Sequence, residues 1–143
     1  MPNSGIPAFA HAAQQAQQWV NELSEDLNWN DKGRAYRLLK SVLHAVRDWI
    51  SAEEVADLSA QLPLLIRGVY FEGWDPMKAR TVYRKRADFI ARVESDFAND
   101  PLVMPAEDVG KVLEFLSRKL PGGEVRQVRQ SMPKSLRALW ADG

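Results

Sequence analysis

Cysteine is absent from this 143-residue chain, and histidine occurs only twice. Disulfide scaffolds, cysteine-ligated zinc sites, iron–sulfur clusters and thiol nucleophiles are therefore excluded, and His11 and His44 are too few for a histidine-rich metal centre. Net charge is absent as well, because 19 basic residues balance 19 acidic ones. A protein that wraps a polyanion is normally basic overall, so the charge balance argues against that class.

Long apolar runs are also missing. Residues 1–18 lack the basic start and the continuous apolar core of a secretory signal. The most apolar run, residues 62–71, is interrupted by Pro63, Arg67 and Gly68, and it is far shorter than the roughly 20 residues that cross a bilayer. We therefore expect a soluble, cytoplasmic protein that makes no membrane contact.

Apolar residues recur at helical spacing through most of the chain, whereas no segment alternates like a strand between hairpin turns. Asp31 and Ser51 are predicted helix N-caps, and Glu54 stands where it completes a capping box with Ser51. Pro105 suits the first turn of a further helix. The fold class that we predict is all-α, a multi-helical bundle of six to eight short helices.

The chain also repeats itself, because position n resembles position n + 70 through most of its length. Trp19 aligns with Phe89, and Val55 aligns with Val125, in one register without a gap. We predict two pseudo-symmetric repeats, residues 15–72 and 82–141, that share the core of a single helical domain, residues 14–143. Residues 1–13 precede this domain and are predicted to be mobile.

Residues 44–76, HAVRDWISAEEVADLSAQLPLLIRGVYFEGWDP, resemble a bacterial family known as domain of unknown function 2267. The later pieces YRKRADFIARV, residues 83–93, and MPKSLRALW, residues 132–140, resemble it too. This resemblance covers about residues 15–140 and implies an all-α fold in a bacterial cytosolic protein. It carries over no catalytic residue and no biochemical activity.

The most distinctive passage is the joint between the repeats, residues 67–76, because the second repeat has no counterpart to residues 71–76. One interpretation is structural, with a glycine that permits positive φ and a tryptophan that packs over helix ends. The other is a surface for a peptide or ligand, since tyrosine, tryptophan and arginine often anchor interfaces. The candidate interaction residues are Arg67, Tyr70, Glu72, Trp74 and Asp75.

A basic stretch follows the joint. It could hold phosphates by charge and stack a base on Tyr83, or it could be a solvated linker that pairs with the acidic first half. Its candidate residues are Lys78, Arg80, Arg84, Lys85 and Arg86.

Motifs for chemistry are lacking. We find no nucleophile elbow, no phosphate-binding loop and no Glu-x-x-His pair, so we expect no catalytic residue, no metal and no cofactor. The hypothesis that follows is a non-enzymatic protein-interaction module or self-associating protein, whose partner is another protein or a second copy. Two alternatives stay open: nucleic-acid binding through residues 78–86, and a small-molecule pocket between the two halves.

Overall fold

A computed structural model of the chain describes residues 5–78, 85–132, 134–137 and 140. Within these residues the chain forms eight helical segments and no strand. In chain order the segments are α1 (Pro7–Leu27), α2 (Lys32–Arg47), α3 (Ala52–Ser59), α4 (Leu64–Phe71), α5 (Arg86–Ser95), α6 (Pro105–Lys119), α7 (Gly122–Gln130) and α8 (Lys134–Arg137). The predicted all-α, multi-helical bundle is confirmed.

Side chains cap the helices where the sequence predicts them. Asp31 accepts a hydrogen bond from the backbone N–H of Arg34 at 3.0 Å, which starts α2. Ser51 accepts one from the N–H of Glu54 at 3.2 Å, and the Glu54 carboxylate accepts one from the N–H of Ser51. Pro105 occupies the first turn of α6. Both N-caps, the capping box and the proline position are thus confirmed.

Several local features recur at the predicted offset. Helix α3 begins at Ala52, and α7 begins at the aligned position, Gly122. Arg67 donates a hydrogen bond to the carbonyl of Leu62 at 3.1 Å, and Arg137 donates one to the carbonyl of Met132 at 2.9 Å. These agreements are local. The pseudo-symmetry of the two halves and the division into a single domain stay predictions.

The apolar core lies around α2. Helix α1 packs against α2, α4 and α6, while α2 also packs against α5 and α6. Four side chains of α2, Ala35, Leu38, Leu39 and Val42, have no exposed surface. They belong to one buried cluster that also contains Phe89, Val112 and Leu116 from the second half of the chain. This buried cluster therefore draws side chains from both the first and the second half of the chain.

Arg34 joins the start of α2 to the turn after α5. Its guanidinium carbon lies 4.5 Å from the ring centroid of Trp29 and 5.6 Å from that of Phe97. Its Nε donates to the carboxylate of Asp100 at 2.8 Å, and its Nη2 donates to the carbonyls of Asp100 and Pro101. Hydrogen bonds from Arg34 and from another α2 arginine lower the pKa of Asp100. This contact links parts of the chain that are 66 residues apart.

The first helix begins within the segment predicted to be mobile, because residues 7–13 belong to α1. The predicted mobility itself stays a prediction. In the part of the chain that the structure describes, no helix combines the length and the apolar character that a membrane crossing requires.

Candidate functional site

The joint, residues 67–76, begins within α4, and two side chains of α2 hold the carboxyl end of this helix in place. His44 Nε2 donates to the carbonyl of Val69 at 2.7 Å, since a carbonyl oxygen can only accept. Arg47 Nη1 donates to the carbonyls of Tyr70 at 2.9 Å and of Glu72 at 2.7 Å. The last carbonyls of a helix have no partner within the helix. The two α2 side chains therefore cap α4 and fix the backbone of the joint between Val69 and Glu72.

The charge of Arg47 is compensated where it is buried. Its side chain is only 5% exposed, and its Nε lies 2.6 Å from a carboxylate oxygen of Asp48. The other oxygen of Asp48 accepts a hydrogen bond from Arg92 of α5 at 2.7 Å. Burial opposes ionisation of Asp48, but the hydrogen bonds from the two arginines outweigh it and lower the pKa of this carboxyl. Burial lowers the pKa of His44, one turn away.

Tyr70 is completely buried, and its hydroxyl donates to the carbonyl of Val55 in α3 at 3.0 Å. Burial raises the pKa of this hydroxyl. Phe71 connects Tyr70 to Trp74, with ring-centroid distances of 5.2 Å and 5.4 Å. Trp74 is partly buried against the core. The two predicted aromatic residues thus lie in one row that runs from the core to the surface.

The three polar residues of the candidate set do not form one cluster. Arg67 donates to backbone carbonyls at the end of α3 and in the turn after it. Glu72 lies 3.1 Å from Lys40 of α2, and Asp75 accepts the N–H of Met77 at 2.9 Å. Of the three, Glu72 and Asp75 are exposed. These contacts give every predicted joint residue a structural partner, and its use as an interaction surface stays a prediction.

The basic stretch is only partly described. Lys78, Lys85 and Arg86 are exposed, while Arg80 and Arg84 lie outside the described residues. Nucleic-acid binding through these five residues stays a prediction.

A polar cleft of about 220 Å³ opens beside the capped end of α4. Its lining comes from the first half at Arg37, Lys40, Ser41 and His44, and from the second half at Asp96. The hydroxyl of Ser41 donates to Asp96 at 2.6 Å. Because α2 and the end of α5 form its walls, the cleft lies between the two halves of the chain.

A second, mostly apolar groove of about 410 Å³ lies where α1, α2 and α4 meet. Ala13, Ala16 and Val20 line it from α1, Tyr36 lines it from α2, and Leu65 lines it from α4. Polar residues on its edge are Gln17 and Lys32.

Phe9 extends this groove along α1. It lies four residues before Ala13 and is therefore on the same side of the helix. Its side chain is 67% exposed, and the groove residue Leu65 is 46% exposed. We call the surface formed by Phe9, Ala13, Ala16, Tyr36 and Leu65 the groove face.

The sequence carries a signal for the groove face that the periodicity does not reveal. No Asp, Glu, Lys or Arg occurs before Glu22, although charged residues make up 27% of the chain. At that average, a stretch as long as residues 1–21 would contain about six charges. Because residues 1–13 are predicted to be mobile and to precede the domain, helical spacing assigns no surface to Phe9.

The described residues contain no group of three or more His, Asp or Glu side chains arranged to hold a metal ion. These residues do present a polar cleft between α2 and the end of α5, and a mostly apolar groove between α1, α2 and α4. Residues 16–139 match the family described as "Uncharacterized conserved protein (DUF2267)", so the chain belongs to that family. No curated protein matches the chain.

Proposed function

We propose that this protein is a helical protein-interaction module whose docking surface is the groove face. The observation that carries the proposal is a two-thirds exposed phenylalanine beside an apolar groove, in a segment (residues 1–21) that contains no charged residue type. Water contact with such a surface is unfavourable, and contiguous exposed apolar patches on soluble proteins commonly mark interaction sites. Depletion of charge is typical of the centre of a protein interface.

The shape of the groove face favours a helix as the partner. The stretch of α1 from Phe9 to Val20, which carries this face and lines the groove, is about 16 Å long at about 1.5 Å per residue. A helix laid in such a groove contacts it through apolar side chains three and four residues apart. Because only Lys32 brings charge to the edge, the matching partner surface is an uncharged, apolar helical stripe.

The test measures binding of a fluorescent helical peptide that carries a leucine and alanine stripe. We expect saturable binding to the full chain and at least tenfold weaker binding to the Phe9→Glu and Leu65→Glu variants. Met77→Glu is the matched control. Met77 is 89% exposed, but it lies beyond the carboxyl end of α4, whereas Leu65 lies in the first turn of that helix. An absence of binding, or equal loss in all three variants, would contradict the proposal.

The polar cleft supports a second candidate function, the binding of a small anion such as a phosphate or carboxylate group. Arg37 and Lys40 each contact one carboxylate, at 2.8 Å and 3.1 Å, and keep further N–H donors for a ligand.

Calorimetric titration with inorganic phosphate tests this second function. We expect binding that weakens at least fivefold in Lys40→Ala. Lys111→Ala is the control, because Lys111 lines a different charged cleft between α1 and α6. Equal binding by both variants and the wild type would exclude the cleft as the site.

A further inference from the structure

We infer that the helix which occupies the groove face is α1 of a second copy of this chain, packed antiparallel across a two-fold axis. This inference rests on the proposed function and adds the identity of the partner. The partner stripe that the groove face requires is apolar, helical and uncharged, and α1 itself presents such a stripe at Phe9, Ala13 and Ala16.

The groove face carries both a projection and the cavity that would receive it. Phe9 projects from α1, and the groove starts one turn further along at Ala13. In a two-fold dimer both copies use the same surface, so every contact that the first copy makes to the second is repeated by the second copy to the first. Phe9 of each copy then fills the groove beside Ala16 of the other.

The missing charge favours a second copy over an unrelated partner. Near a two-fold axis each side chain lies close to its own copy, so a charged group there would face a like charge. Residues 1–21 contain none of the four charged residue types. A different protein would gain specificity from complementary charges across the interface, and apart from Lys32 the groove offers none.

Small side chains let the two helices approach closely. Ala13 is exposed and Ala16 is partly buried, and each presents a single methyl group. Helices packed through small residues reach the short end of the usual range of about 8 to 10 Å between axes. If Phe9 of one copy lies opposite Ala16 of the other, the two-fold axis passes close to Ala13.

The segment that carries this contact precedes the family match. Phe9 and Ala13 lie before residue 16, where the match to the family begins. The groove residues Ala16, Tyr36 and Leu65 lie within the match. The inferred dimer therefore joins a segment outside the matched region to a groove inside it.

Charge placed at Ala13 tests the dimer. Glutamate and lysine are good helix formers, so Ala13→Glu and Ala13→Lys should keep the helical circular-dichroism signal. Sedimentation measures the oligomeric state. We expect the wild type to change from monomer to dimer as its concentration rises from about 5 µM to about 500 µM, the range over which small interfaces form. Each variant alone should associate at least tenfold more weakly, and an equimolar mixture should recover a dimer that contains one chain of each. Met77→Glu should dimerise like the wild type.

Three results would overturn the inference: a wild type that stays monomeric over the whole range, either charged variant dimerising as well as the wild type, or no recovery on mixing. The peptide titration separates these failures from that of the proposed function. A monomeric chain that still binds the helical peptide through Phe9 and Leu65 would keep the docking surface and remove the second copy. A monomeric chain that binds no peptide would remove both.

Discussion

Replacing Arg47 by methionine tests whether α2 fixes the end of α4. Arg47 donates two hydrogen bonds to the carbonyls of Tyr70 and Glu72 and pairs with Asp48. A hydrogen bond from a charged group contributes about 1.5 to 3 kcal/mol, and removing one member of a buried ion pair costs about 3 to 5 kcal/mol. Because Asp48 keeps Arg92 as a partner, we expect a loss of about 4 kcal/mol in the free energy of unfolding.

This loss is large against the total stability of roughly 5 to 15 kcal/mol that is typical of a domain. At roughly 2 to 4 °C per kcal/mol for a chain of this size, the melting temperature should fall by about 12 °C. Urea unfolding followed by tryptophan fluorescence measures the free energy, and circular dichroism measures the melting temperature. Lysine at position 47 keeps the charge but cannot reach both carbonyls and Asp48 together, so its loss should be intermediate.

Arg37→Met is the matched control on the same helix. Its side chain is 47% exposed, and its partner Asp100 is held independently by Arg34. We expect little change in its urea midpoint, because exposed ion pairs contribute little. If Arg47→Met unfolded at the wild-type urea concentration, the capping of α4 by α2 would be refuted.

Three further predictions concern single groups. Tyr70→Phe loses the hydrogen bond to Val55 and should cost about 1 kcal/mol in urea unfolding; an unchanged midpoint would contradict a buried hydroxyl bond. Burial lowers the pKa of His44 below 6.5, so the neutral ring is favoured in the folded state. The stability from this group is present above pH 6.5 and is lost as the pH falls below it. We expect His44→Gln to reduce the fall of the urea midpoint between pH 7 and pH 5, and a parallel fall in variant and wild type would argue against this cause. Burial and two neighbouring carboxylates raise the pKa of Glu124 above 4.5, so its ionised form is disfavoured in the folded state. Glu124→Gln should therefore raise the urea midpoint at pH 7 and lose that gain below pH 4.5. The same gain at both pH values would point to a different cause.

Local sequence rules account for the helices and their starts. Asp31, Ser51 and Pro105 act through neighbours within four residues, and such effects are independent of the rest of the fold. Helical spacing likewise predicts the buried side of α2, since Leu38, Leu39 and Val42 recur at the period of the helix. These features could be read from the sequence because each depends on nearby residues only.

The candidate sites depend on residues far apart in the chain. The polar cleft joins Ser41 to Asp96, which are 55 residues apart, and helical spacing cannot place them together. The joint shows the same limit. Its residue types suggest a surface, but the position of Tyr70 is decided by Arg47 and Val55 on two other helices. The exposure of Phe9 could not be predicted either. It depends on the absence of a covering helix rather than on a contact with a distant residue.

The crossed packing of the helices also governs how the chain can fold during synthesis. Helices α1 and α2 lie against each other and against α4, but α1 also lies against α6, and α2 against both α5 and α6. Part of the apolar surface of the first two helices is therefore covered only by elements late in the sequence. Helices can form locally as the chain leaves the ribosome, but their apolar sides stay exposed until the distant contacts close. Covering of this surface therefore waits until α6, which ends at Lys119, has been made. Until then α1 and α2 are the parts of the nascent chain that most need protection from aggregation.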